Sequence, residues 1–165
     1  MADWSFVLAT WTPVAVADTA NFTDNGHQSL QGGSTTQRIK IKEVYIGGQE
    51  NVTSSETFFV LARHSTVGAT LTALGAGQSN AALDPATAAL AAPPTAFTAS
   101  TTKPQRSATL KIANFSMNSL GGIVHKRWPV GQEASILGNV ASFGELGLSA
   151  YTGGVPGKVG THIIY

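Results

Sequence analysis

The sequence predicts an all-β fold, an antiparallel β-sandwich of jelly-roll-like type, and three observations carry that expectation. Short apolar-rich runs recur along the chain, each bounded by clusters of Gly, Pro, Asn, Ser or Thr. Roughly eight to ten such runs at close spacing suit a sandwich better than alternating strands and helices. The stretch 144–165, GELGLSAYTGGVPGKVGTHIIY, places two of them about a turn-rich connector. Residues 1–37 are expected to form an N-terminal strand and an extended arm. Residues 38–165 are expected to form the sandwich, with one short helical insertion near 84–92.

In residues 3–11, Trp4, Phe6 and Leu8 alternate with Val7, Ala9 and Trp11. Both faces are apolar, as in a strand covered on both sides, and Pro13 ends it. Residues 18–37 are polar and rich in Asn, Gly, Ser and Thr. They read either as an arm lying on a neighbouring molecule or as disordered chain, because so long a loop is unusual within a compact domain. Residues 38–46, RIKIKEVYI, form a strand in which Ile39 and Ile41 share one face while Val44 and Ile46 fall in the opposite register. That phase change implies a bulge near Lys42 and Glu43, or burial on both sides. After a loop at 47–55, residues 56–64, ETFFVLARH, are the most hydrophobic segment and the expected central strand. A further strand at 66–74 is broken by Gly68.

Asp84 suits a helix N-cap, Pro85 the first helical position, and the alanine-rich 86–92 a short helix stopped by Pro93 and Pro94. The alternative for this stretch is a low-complexity excursion. Strands are then expected at 95–100, 107–114, 121–129, 133–137, 145–151 and 159–165. Gly153, Gly154 and Gly157 take positive φ at little cost and Pro156 fixes its own. The last two runs therefore read as a β-hairpin. Its second strand, ending on Ile163, Ile164 and Tyr165, would pair inside a sheet or against another subunit.

Composition narrows the function. The chain has 165 residues, enough for one domain with a substantial core. Charged residues are 12% of it, against roughly 25% in a typical soluble domain. Ten Lys and Arg against nine Asp and Glu leave a formal charge of +1, which gives no electrostatic basis for strong nucleic-acid binding. The absence of cysteine excludes disulfides, thiolate nucleophiles and Cys-based zinc sites. The beginning, MADWSFVLATW, lacks a basic n-region, and no run approaches the ~18 apolar residues of a membrane helix. A soluble protein made in the cytoplasm is expected, with no membrane partner.

No constellation of reactive residues outweighs its ordinary reading. His64, His125 and His162 fall in expected strands and would make a metal site only by converging on one face, with few acids to support them. No G-x-S-x-G elbow is present. Glu56, Glu133 and Glu145 stand at strand starts, where an exposed charge is unremarkable. Gly75–Gly77 and the 153–157 glycines match neither phosphate-binding spacing and read as turns. Asp18, Asn21, Asp24 and Asn25 lack the EF-hand spacing. The sequons at Asn21, Asn51 and Asn114 are chance matches in a Ser/Thr-rich chain. The expectation is a protein that is not an enzyme, with no catalytic residues, no metal and no cofactor. The apolar and aromatic side chains Trp4, Phe6, Trp11, Trp128, Tyr151, Ile163, Ile164 and Tyr165 are its partner-interface candidates.

Residues 121–139, GGIVHKRWPVGQEASILGN, followed by GELGLSAYTGGVPGKVGTHIIY, on a low-charge, cysteine-free chain with an N-terminal arm, resemble the small β-sandwich proteins that decorate or cement tailed-phage heads. The resemblance spans 38–165 and is one of overall character. It implies a structural virion protein on the capsid exterior, bound across capsomers to the major capsid protein. It also implies a homo-oligomer, a trimer being favoured, with no direct contact to nucleic acid. The alternative is a carbohydrate- or receptor-binding β-sandwich of a phage fibre or head appendage, with Tyr151 and Trp128 as its exposed aromatics.

Overall fold

The computed structural model describes residues 3–51, 55–75, 78–138, 140 and 143–165. Every regular element among them is a β-strand. A five-stranded sheet has the order β11 (Ile123–Arg127), β5 (Glu43–Gly48), β14 (Val159–Ile164), β1 (Trp4–Trp11), β8 (Ala81–Ala82). A larger sheet has the order β10 (Gln105–Asn118), β6 (Glu56–Thr66), β13 (Glu145–Tyr151), β3 (His27–Gln31), β9 (Thr95–Thr102), β7 (Ala69–Ala73). The two residues of β2 (Ala15–Val16) add a parallel bridge to β13, whereas the main ladders are antiparallel. A third, two-stranded sheet pairs β12 (Ala134–Leu137) with β4 (Arg38–Ile41).

One core joins these layers, as expected for a β-sandwich. The five-stranded sheet contributes Trp4, Phe6, Leu8, Val44, Ile46, Val159 and Ile163. The larger sheet contributes Leu30, Phe59, Leu61, Leu146 and Leu148, and the small sheet adds Ile39, Ile41 and Ile136. Trp11 lies on the opposite phase from Phe6 in the sequence, yet it is buried. The β1–β14 ladder shifts register between Leu8 and Trp11, and the indole comes to rest 6.3 Å from the Phe59 ring.

Four sequence expectations are corrected here. The C-terminal runs are strands at nearly the expected residues, but they are not a hairpin. β13 lies between β6 and β3, and β14 between β1 and β5, so the 152–158 connector crosses from one sheet to the other. Gly154 is needed in that crossing, because a Cβ there would stand 2.6 Å from the Glu56 carbonyl oxygen. The phase change at Lys42 is also a change of sheet: β4 ends at Ile41 against β12, and β5 begins at Glu43 against β14 and β11.

The helix near 84–92 is absent. Asp84 Oδ1 accepts from Ala86 N at 2.9 Å, and Thr87 N donates to Asp84 O at 3.0 Å, closing a single turn. Beyond it Leu90 packs on the core and Ala92 N donates to Gln37 Oε1 at 3.1 Å, which holds the chain extended. Good helix formers did not suffice without an amphipathic face to offset nucleation. Finally, the 18–37 stretch is no free arm, since it contains β3, an interior strand hydrogen-bonded on both sides.

The expected central strand at 56–64 is β6, paired on both edges, and Gly68 falls in the turn between β6 and β7. The loop at 47–55 and the glycine turn at 75–77 lie partly outside the described residues.

Adjacent positions of β14 differ sharply in burial: Ile163 is 1% exposed, and Ile164 is half-buried on the outer face. Ile163→Ala is expected to lower the unfolding free energy by about 2–5 kcal/mol. Ile164→Ala is expected to cost about 1 kcal/mol or less. Urea titrations of the two variants compare them directly, and equal losses would show that β14 does not sit in this register.

Candidate functional site

The chemically richest part of the molecule is the outer face of the larger sheet. Leu146 and Leu148 point into the sandwich, so Glu145, Gly147, Ser149 and Tyr151 point away from it. Register brings His27, Ser29 and Gln31 of β3 opposite Ser149, Gly147 and Glu145. His64 of β6 and Arg106 of β10 face one another on the same side. This outer face is nevertheless closed: His27, His64, Arg106 and Glu145 are each 0% exposed.

A charge removed from water must be saturated by hydrogen bonds. The Glu145 carboxylate has them. His64 Nδ1 lies 2.5 Å from Oε1, Gln31 Nε2 donates to Oε2 at 2.6 Å, and Gly68 N donates at 3.1 Å to Oε2. Gln31 also donates to Gly68 O at 3.0 Å, which locks the β6–β7 turn over the sheet. His27 Nδ1 and Ser29 Oγ share a hydrogen bond of 2.8 Å. Phe22 sits over both imidazoles, with its ring centroid 5.0 Å from His27 and 5.2 Å from His64.

Arg106 anchors the segment that carries Phe22. Its Nε donates to Asp18 Oδ1 at 2.8 Å, Nη2 to Val16 O at 2.5 Å, and Nη1 to Ser149 Oγ at 2.7 Å. Its guanidinium carbon lies 4.9 Å from the Tyr151 ring centroid, and Lys111 Nζ lies 5.0 Å from the same ring. Lys111 also donates to Asp18 Oδ2 at 2.7 Å. Partial burial acts to raise the Asp18 pKa, but hydrogen bonds from Lys111 and Arg106 outweigh it and hold the carboxyl below its usual range. Burial, with a smaller push from His64, takes the His27 imidazole from 6.5 down to about 3.

Ser29, His64 and Glu145 bring a hydroxyl, an imidazole and a carboxylate to one face. With Phe22 on top and the whole group buried, no substrate reaches them in this conformation. Their evident work is to clamp β3, β6, β13 and the 15–26 segment together. Gly147 makes room at the centre, because a Cβ there would stand 2.6 Å from Ser29 Oγ and 2.7 Å from His64 Nε2.

The sequence reading missed this cluster. Glu145 was expected on the surface, and the burial of its outward face is the correction. The signal was present in ELGLSAY, whose polar positions alternate with apolar ones, but nothing local said that a loop would cover them. The three strand histidines do not converge, since His64 faces out from the larger sheet while His125 and His162 face out from the other. Among the described residues no group of three or more His, Cys, Asp or Glu side chains is arranged to hold a metal.

Of the interface candidates, Trp4, Phe6, Trp11, Ile163 and Tyr165 are buried in the core. Trp128, Tyr151 and Ile164 remain half-buried at the surface. Trp128 stands beside Lys126, whose Nζ lies 5.6 Å from its ring. The turn that follows presents Val130, 96% exposed, and the 152–158 crossing presents Val155, 70% exposed. Tyr151 borders a shallow groove of about 330 Å³ with Phe58, Val60, Lys111, Asn114 and Ser116.

Compared with protein-family models, curated proteins and solved structures, the chain matches none significantly.

Two outcomes test the clamp. The folded state holds His27 neutral while the unfolded chain protonates it near 6.5, so His27 contributes stability that is complete above that pH. This contribution is lost as pH falls from 6.5 toward about 3, and loss of the Asp18 pairing adds to it at the acid end. Denaturant midpoints measured between pH 7 and pH 4 should fall on acidification, at up to about 1.4 kcal/mol per pH unit from His27. A flat profile would place His27 in water. Gly147→Ala should cost about 1–3 kcal/mol through overpacking, read as a lowered melting temperature.

Proposed function

We propose that this chain is a structural virion protein, a decoration or cement protein that stabilises a tailed-phage head. It would act as a homo-oligomer on the capsid exterior, binding the major capsid protein across capsomers without catalysis. The observation that carries the reading is the pair of exposed apolar tips, Val130 beside Trp128 and Val155 in the 152–158 crossing. Both project from a β-scaffold of low charge. Each would be removed from water on docking against another protein, a gain of roughly 25 cal/mol per Å² of apolar surface buried. Trp128 beside Val130 is the kind of aromatic that anchors an interface. A near-neutral chain also suits a position away from the genome. The jelly-roll arrangement and the phage assignment belong to the same proposal and rest on the resemblance of overall character across 38–165.

The direct test incubates the purified chain with expanded tailed-phage heads assembled from major capsid protein. Co-sedimentation at fixed stoichiometry and a raised disruption temperature are expected. Val130→Asp with Val155→Asp should weaken binding about tenfold or more while leaving the circular dichroism spectrum intact. Absence of binding in the unmodified protein removes the proposal.

One observation favours the second reading, a glycan-binding module. The groove beside Tyr151 combines the aromatic faces of Tyr151 and Phe58 with the polar side chains of Asn114, Ser116 and Lys111. Sugars stack on the first and hydrogen-bond to the second. Retention of a saccharide on an array, lost in Tyr151→Ala, would transfer the assignment to this reading.

A further inference from the structure

The lateral sides of the sandwich are not equivalent. β7 and β8, which end the two sheets at one end of their strand orders, are five and two residues long, and the ladder of β7 is interrupted by a register shift. Short or irregular edges resist further pairing. The opposite ends are β10 and β11, successive strands joined by a tight turn. β11 carries His125, Lys126 and Arg127 along its five residues, the kind of charged edge that discourages addition of a strand.

β10 has no such protection over its second half. Its first residues are covered, because Asn21 bridges Gln105 and Thr19 N donates to Arg106 O at 3.3 Å. Residues 107–110 then bulge out of the ladder. From 113 to 117, ANFSM, the strand pairs residue for residue with β6, without a break in register. Among the described residues no backbone bond is made to its other side. The segment has no proline and no charged residue. Lys111, just before it, is held by Asp18 and the Tyr151 ring.

We propose that this edge is a self-association surface, where the 113–117 segments of two copies pair antiparallel across a two-fold axis and join their larger sheets into one. The occupant is a second copy because this edge is the long, regular and uncharged one, and a two-fold sets it against itself. In any antiparallel register the facing side chains are Ala, Asn, Phe, Ser and Met, so no like charges meet. A head-to-tail ring would need a second edge of comparable quality, and neither β7, β8 nor β11 supplies one. The elementary unit is therefore a dimer, in place of the trimer that the resemblance implies. The inference rests on the strand order and stands or falls independently of the capsid proposal.

The test uses the purified full chain alone. Light scattering coupled to gel filtration is expected to give the mass of two chains. Backbone amides within 113–117 should gain hydrogen-exchange protection as concentration rises. Asn114 and Ser116 are exposed on the outer face, so Asn114→Lys with Ser116→Lys places like charges across the axis without touching the core. The double variant should keep its circular dichroism spectrum and raise the dimer dissociation constant about tenfold or more. A mass of one chain or of three overturns the pairing. So does a dimer that persists unweakened in the double variant, or one whose 113–117 amides exchange at the monomer rate.

Discussion

The Glu145 carboxylate is the constraint around which the larger sheet is arranged. A fully buried carboxylate is tolerable only when its oxygens are filled with donors, and here they come from β3, β6 and the turn that follows β6. Those donors meet only if the registers of β13 with β3 and with β6 are both correct. A slip of one residue would turn Glu145 into the apolar core and bring Leu146 out. The ion-rich outer face therefore specifies the pairing that the apolar inner face stabilises.

Arg106 extends the same logic to the N-terminal segment. Its guanidinium donates to Asp18, Val16 O, Ser149 and Ala150 O, so one side chain ties β10, β13 and the chain before β3. Phe22 is carried by that chain and closes over His27 and His64. The result is a second packed layer outside the sandwich, polar below and aromatic above. Its sealing turns what would be an ordinary solvated sheet face into structure. The turn tips at Val130 and Val155 and the lateral edge of β10 lie outside that sealed layer.

Much of the strand content was legible because it depends on local alternation. Residues 56–64, 145–151 and 159–165 read as strands, and β6, β13 and β14 begin where they should. Pairing was less legible. The glycines and proline between β13 and β14 permit a reversal, but a reversal within a sheet and a crossing between sheets use the same residues. The Asp84 cap, Pro85 and the alanines after them supply helix-start and propensity signals but no apolar stripe, and contacts at Leu90 and Ala92 hold the chain extended instead. The polar 18–37 stretch concealed β3 because the strand HQSLQ is nearly all polar. Its side chains are buried by partners contributed from distant parts of the chain.

By itself, the sequence determined that this protein is all-β, cysteine-free and weakly charged, and roughly where most of its strands lie. Those properties follow from composition and from a period of two, which act within a few residues. Only the tertiary structure decided which sheet each strand joins, that Trp4, Trp11 and Tyr165 belong to the core, and that Glu145, His64 and Arg106 are buried partners. These outcomes depend on contacts between residues up to more than a hundred positions apart, such as Thr161 with Gln28 across the two sheets, 133 positions away. No local pattern encodes the closing of such a contact, because its energy appears only when both strands are already in place.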